Sequence, residues 1–284
     1  MCVAAVSANA FGIAGLLGWP VAHSRSPTIH NYWLKEHGLA GRYVLFPVPP
    51  EKLSIALSGL AALGLRGCNV TTPHKQAVMP MIQSVDPLAR RIGAVNTIVV
   101  DKDGALKGFN NDGNGFIQSL RDARPTWRPD SGPIVVLGAG GAARAVVASL
   151  ADQGAREIRI VNRTFERAQA IATEYGPPVT AYAWEQRGEI LADVALLANC
   201  TNQGMSGKPA LEISLDRLAA GAIVGDLIYT PPETPLLAAA RARGNLTVNG
   251  LGLLLNQARP AFQAWFGVLP EISPGLLQAV AATF

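Results

Sequence analysis

The stretch PIVVLGAGGAARAVVASLADQGA, residues 133–155, constrains the fold more than any other part of this chain. An apolar run, Ile134–Leu137, passes through a glycine-rich turn into a stretch with helical periodicity. Gly138, Gly140 and Ala143 form a GxGxxA pattern at that junction. Glycine there lets backbone approach a pyrophosphate, whose charge the helix N-terminus meets. A tight strand-to-helix turn without any ligand would read the same way, so the next strand has to decide.

In an NAD site the following strand ends in Asp or Glu, about 20 residues on, which holds the ribose 2′-hydroxyl. Here the strand EIRIV ends in Asn162-Arg163-Thr164, with Arg167 one turn further. A cation and hydrogen-bonding side chains replace the acid, which suits a 2′-phosphate. NADP is therefore expected over NAD, with Gly138, Ala139, Gly140, Gly141, Ala142, Asn162, Arg163, Thr164 and Arg167 around it. A solvated surface arginine is the competing reading of Arg163.

Strand-like apolar runs alternate with helical patterns along the whole chain, the mark of an α/β fold. FGIAGLLG (11–18), YVLFPV (43–48), LRGCNV (65–70) and AVNTIVV (94–100) read as strands. SPTIHNYWLKEHG and PEKLSIALSGLAALG read as helices, the first with Ser26 as N-cap and Pro27 at its first position. A polar, turn-rich stretch at 121–133 separates this block from a second. The second block continues through strands at 157–162, 193–198 and 222–228. It is followed by the long amphipathic segment NGLGLLLNQARPAFQAWFG.

Composition excludes several classes. With 49% hydrophobic and 15% charged residues the chain is too apolar to be disordered. Its net charge of +4 is mild and its basic residues are scattered, which argues against nucleic acid but not against small anions. Cys2, Cys68 and Cys200 are odd in number and far apart, as expected of reduced thiols in a cytoplasmic protein. His23, His30, His37 and His74 lack partners at metal-site spacing, so no metal is expected. Ala8-Asn9-Ala10 resembles a secretory cleavage site, but no Lys or Arg precedes Arg25 and the apolar run follows that site. No apolar run is long enough to span a membrane.

Further polar signals lie in the first block. GWPVAHSRSPTIHN places Ser24 and Ser26 at a loop-to-helix junction, where hydroxyls bind an anion or merely cap the helix. NVTTPHK, GAVNT and GFNNDGNGF put Thr71 and Lys75, Asn96, and Asp112 at the ends of strands. Thr72 as N-cap and Pro73 as first helical residue would set Lys75 in a first helical turn, where the helix dipole disfavours a cation. A solvated side chain is the plain alternative for that lysine.

In this order, and together with GAGGAARA, VNRTFERA, NCTNQGM, GDLIYTPPETPLL and GLGLLLNQA, these stretches resemble the shikimate dehydrogenase family over nearly the whole chain. The resemblance implies a Rossmann NADP-binding domain, residues 113–249, inserted into an α/β substrate-binding domain formed by 1–112 and 250–284. It implies an active site in the cleft between them. Lys75 and Asp112 would be catalytic, and Ser24, Ser26, Thr71, Asn96, Tyr229 and Gln257 would surround the substrate. Leu227 and Gly250 would join the cofactor site. The implied reaction is reversible NADPH-dependent reduction of 3-dehydroshikimate to shikimate, by a monomer or homodimer. Three departures bear on the substrate: Asn111 stands where the family usually has Thr, Leu253 where Met is common, and Asn249 where Asp often sits. A paralogue preferring quinate or another cyclic polyol acid is the alternative. A non-catalytic NADPH sensor would be expected to lack Lys75 or Asp112, and both are present.

Overall fold

The computed structural model describes residues 11–284, so Cys2 and the Ala8-Asn9-Ala10 stretch lie outside the described residues. The chain divides into two compact units. One comprises the chain up to Asn111 together with Gln257–Phe284, and the other is Asp112–Asn256. The turn-rich stretch at 121–133 falls inside the second unit: its first residues close a helix, and Trp127 is buried.

The first unit is built on a six-stranded mixed sheet. Its strands are β1 (Gly12–Gly18), β2 (Gly41–Pro47), β3 (Gly67–Val70), β4 (Ser84–Val85), β5 (Thr97–Val100) and β6 (Leu106–Phe109), in the order β2-β1-β3-β5-β6-β4. β1 runs parallel to both neighbours, and β5 is antiparallel to β3 and β6. A parallel strand covered on both faces reads as a continuous apolar run, as β1 does. The helices are α1 (Ser26–Glu36), α2 (Leu53–Ala62), α3 (Pro87–Ile92) and, from the C-terminal segment, α9 (Pro274–Ala281). Leu53, Leu57 and Leu60 of α2 pack with Leu17, Cys68, Val70 and Ile98. Ala14, Leu16 and Tyr43 pack with Ala261 and Trp265, whose indole N–H donates to the Ile98 carbonyl at 3.0 Å.

The second unit carries six parallel strands: β7 (Ile134–Leu137), β8 (Ile158–Val161), β9 (Val179–Tyr182), β10 (Leu196–Asn199), β11 (Ile223–Asp226) and β12 (Leu246–Val248). Their order is β12-β11-β10-β7-β8-β9, so the sheet is doubly wound and reverses its order at β7. Its helices are α4 (Asp112–Ala123), α5 (Gly141–Asp152), α6 (Phe165–Tyr175) and α7 (Pro235–Ala242). Helix α8 (Gly250–Phe266) runs across the division of the chain. Leu137, Val161, Leu197 and Val224 are fully buried, each contributing about 1.5–3 kcal/mol of transfer free energy.

Two helix starts differ from the sequence expectation. Ser26 is the first residue of α1 rather than its cap, with Pro27 second. The N-cap is Arg25, whose side chain makes no capping bond, and the Ser24 hydroxyl one residue earlier accepts from the Ser26 backbone N–H at 3.2 Å. Nor does a helix begin at Pro73. Residues 72–78 form successive turns that lead into a 3-10 turn at Met79–Met81. The Lys75 carbonyl, which a helix would use for Met79, instead accepts from the Val95 N–H at 2.8 Å, and Met79 donates to Gln76. Lys75 therefore does not sit in a helix dipole.

Candidate active site

The topological switch point of a doubly wound sheet is where a dinucleotide binds, and here it is β7. The glycine loop leaves the carboxyl end of that strand. Gly138 has φ +105° and donates its N–H to the Val161 carbonyl at 2.7 Å, which fastens the loop to the end of β8. A methyl group there would also press on Cys200 and Thr201. Gly140 and Gly141 differ: a Cβ at either would meet nothing within 4 Å. The space above the N-terminus of α5 is therefore open and its N–H groups face it, which fits a pyrophosphate.

Asn162, Arg163, Thr164 and Arg167 follow directly from β8, beside that loop. Thr164 precedes α6 and Asn162 donates to its carbonyl at 2.8 Å. Arg163 and Arg167 are exposed. Two guanidinium groups follow the second strand, and Asn162-Arg163-Thr164 carries no carboxylate, the first acid being Glu166 in the first turn of α6, which fits a phosphate on the ribose.

Leu227 and Gly250 also come together. Gly250 donates to the Ile228 carbonyl at 2.9 Å, and a Cβ on Gly250 would overlap the Leu227 carbonyl oxygen. Tyr229 lies half-buried in the same loop after β11. Sequence reasoning missed what shapes this loop. Asp226, fully buried, accepts from Asn199 Nδ2 at 3.1 Å, from the Ile228 N–H at 3.0 Å and from Thr234 Oγ1 at 2.8 Å. Burial raises its pKa above the ordinary carboxylate range, against the lowering effect of those bonds. Asn199 in turn accepts from the N–H and hydroxyl of Thr201. One carboxylate thus links the loops after β10 and β11. Both residues lie in NCTNQGM and GDLIYTPPETPLL, and a lone polar residue closing an apolar strand was the available signal.

In the first unit, Ser24 and Ser26 are joined by their hydroxyls at 3.2 Å. Gly18, at the end of β1, leaves room for the Thr71 methyl, and Thr71 donates its N–H to the Leu17 carbonyl. The turns that carry Lys75 are pinned on two sides. His74, 1% exposed, has its Nε2 2.7 Å from the Val48 carbonyl, and Lys75 accepts from Val95. A lysine at the surface of a flexible loop would have neither anchor. Asn96 is buried and its Oδ1 accepts from Thr97 Oγ1 at 2.9 Å and from the Asn111 N–H at 3.0 Å. Gln257, on α8, is also buried.

Asp112 opens α4 in the second unit, a first-turn position where a carboxylate is favoured by the helix dipole. Its neighbour Gly113 lets α4 approach α5 closely, since a Cβ there would overlap the Ala145 carbonyl and the Ser149 hydroxyl. Among the described residues no group of three metal-ligating side chains converges, and no helix is long and apolar enough to cross a membrane.

Comparison with known proteins extends the argument to the whole chain. Residues 16–98 match the model of the shikimate dehydrogenase substrate binding domain. Residues 128–208 match that of shikimate / quinate 5-dehydrogenase. The shikimate dehydrogenase (NADP(+)) of Paramagnetospirillum magneticum is 52% identical over 93% of this chain and 96% of its own. The Thermus thermophilus shikimate 5-dehydrogenase, solved with NADP(H) and shikimate, superposes with a TM-score of 0.86 at 36% identity. That match covers 96% of this chain and 100% of the other. A 5-ketofructose reductase from Gluconobacter is equally similar in shape, with a TM-score of 0.89 at 32% identity, covering 97% and 100%. Shape is thus shared across substrates, whereas the 52% identity, held over 93% of the chain, places it in the shikimate dehydrogenase family.

Proposed function

We propose that this protein is a shikimate dehydrogenase that reversibly reduces 3-dehydroshikimate with NADPH. The observation that carries the reading is the 52% identity to an NADP(+) shikimate dehydrogenase across 93% of the chain. The open glycine turn at β7 and the arginines after β8 support the cofactor choice.

Bound NADPH would supply the hydride for the ring ketone. The chain supplies the rest. Gly138, Ala139, Gly140, Gly141 and Ala142 receive the pyrophosphate, Asn162, Arg163, Thr164 and Arg167 the 2′-phosphate, and Leu227 and Gly250 flank the cofactor. Ser24 and Ser26 bind the substrate carboxylate, while Thr71, Asn96, Tyr229 and Gln257 hold its ring oxygens. Lys75 gives a proton to the oxygen at the reacting carbon during reduction and takes it back during oxidation. Asp112 is its carboxylate partner. A rigidly backed lysine suits this task, because proton transfer requires the donor within hydrogen-bond reach of the reacting oxygen.

A second reading, a preference for quinate or another polyol, draws on Asn111 and on the likeness to a 5-ketofructose reductase. The direct test of the first is to add shikimate and NADP+ to the purified protein and follow NADPH absorbance. Steady NADPH formation is expected; none at any shikimate concentration would overturn the proposal.

A further inference from the structure

Beneath Asn96 lies a buried chain of polar side chains for which the proposed reaction has no direct use. Tyr43 Oη donates to Asn69 Oδ1 at 2.8 Å. Asn69 Nδ2 donates to the Asn96 carbonyl and to Thr97 Oγ1, each at 3.2 Å. Thr97 Oγ1 donates to Asn96 Oδ1 at 2.9 Å and also accepts from Asn111 Nδ2 at 3.2 Å. Tyr43, Asn69, Asn96 and Thr97 are each 5% exposed or less.

Two backbone groups fix every direction in this chain. The Asn111 N–H can only donate, so the atom of Asn96 facing it at 3.0 Å must be the oxygen. The Asn96 carbonyl can only accept, so Asn69 must turn its NH2 toward it and its oxygen toward Tyr43. Tyr43 is then obliged to donate, and burial keeps its proton on by raising the phenol well above its ordinary range. The Thr97 hydroxyl has two incoming donors and one outgoing proton, its full capacity. An amide whose orientation side chains alone would leave ambiguous is thereby assigned.

We infer that Thr97 is a positioning residue, which together with Asn69 and Tyr43 fixes the orientation of the Asn96 amide, its oxygen held by Thr97 and Asn111 and its NH2 group left as the side that meets a substrate oxygen. This deepens the proposed function and rests on it. A donor-only contact is the chemistry a ketone needs, since a carbonyl oxygen only accepts. It also serves an alcohol oxygen, so the same contact holds in both directions of a carbinol–ketone reaction. Asn96 rotated by half a turn would present an oxygen and repel the ketone.

Thr97→Val keeps the side-chain shape and removes the hydroxyl. The expected result is a KM for shikimate raised about three- to tenfold, the size of one neutral hydrogen bond. The dissociation constant for NADP+ should be unchanged, and Thr97→Ser should restore KM. If Thr97→Val does not fold, Tyr43→Phe removes the first donor and is read in the same way. A lowered melting temperature with wild-type KM in the variant that folds would make the chain a structural feature only and overturn the inference. Wild-type protein inactive on shikimate would instead overturn the functional reading, and the inference with it.

Discussion

Thr234 donates its hydroxyl to the buried carboxylate of Asp226 at 2.8 Å while accepting from the backbone N–H of Leu237, the third residue of α7. The pair closes the loop that carries Leu227 and Tyr229. Burial, opposed by the bonds from Ile228, Thr234 and Asn199, raises the Asp226 pKa. A group with a raised folded pKa contributes stability that is complete below its unfolded value, near 3.9 for Asp, and lost as pH rises through the folded pKa. Wild type should therefore carry a stability loss on that upward passage which Asp226→Asn lacks. Melting temperatures of both, scanned upward from about pH 4, should show the variant gaining relative to wild type. A difference constant with pH would contradict this.

Gly113 tests how Asp112 is delivered. A Cβ at residue 113 would overlap the backbone oxygen of Ala145, which cannot rotate away as a flexible side chain would. Gly113→Ala should cost about 1–3 kcal/mol, the usual cost of overpacking. Urea denaturation measures it directly. An unchanged midpoint would show that α4 shifts without strain.

The 2′-phosphate assignment predicts an asymmetric loss. A charged hydrogen bond contributes roughly 1.5–3 kcal/mol, so Arg163→Ala should raise KM for NADP+ about tenfold or more. KM for NAD+ should barely move, because NAD+ has no phosphate at that position. Equal losses for both cofactors would remove Arg163 from the site.

Lys75 is held by turns and by the bond from Val95, not by a helix. If it exchanges the proton, Lys75→Ala should lower kcat by about 10²–10⁴ with little change in KM for either substrate. Asp112→Asn should also slow turnover, and the double variant should fall short of the product of the two losses. Steady-state kinetics of the three variants gives the answer; near wild-type kcat in Lys75→Ala would leave the lysine a surface side chain.

Most of the strands were readable because strands covered on both faces appear as short, mainly apolar runs: β1, β3, β7, β8, β10 and β11 all do. β4, two residues long and partly exposed, and β12, only partly buried, gave no such run. Local rules failed where long-range hydrogen bonds took over. Ser-Pro and Thr-Pro both signal helix starts, yet Arg25 rather than Ser26 is the N-cap of α1, and Val95 captures the carbonyl that a helix at Pro73 would need. The glycine loop was plain because its constraint is local. Asp226, Asn69 and Thr97 were not, since each has at least one partner 26 or more residues away. Asn111 stood out as a departure from the family pattern, but only the fold shows its amide spent on Thr97.

Shikimate with NADP+ is the substrate pair on which every assignment above depends. Initial rates with shikimate and quinate, each against NADP+ and NAD+, test it with four numbers from one preparation. kcat/KM is expected to be highest for shikimate with NADP+, and changing either the acid or the cofactor should lower it by about tenfold or more. A higher kcat/KM for quinate, or for NAD+, would contradict it.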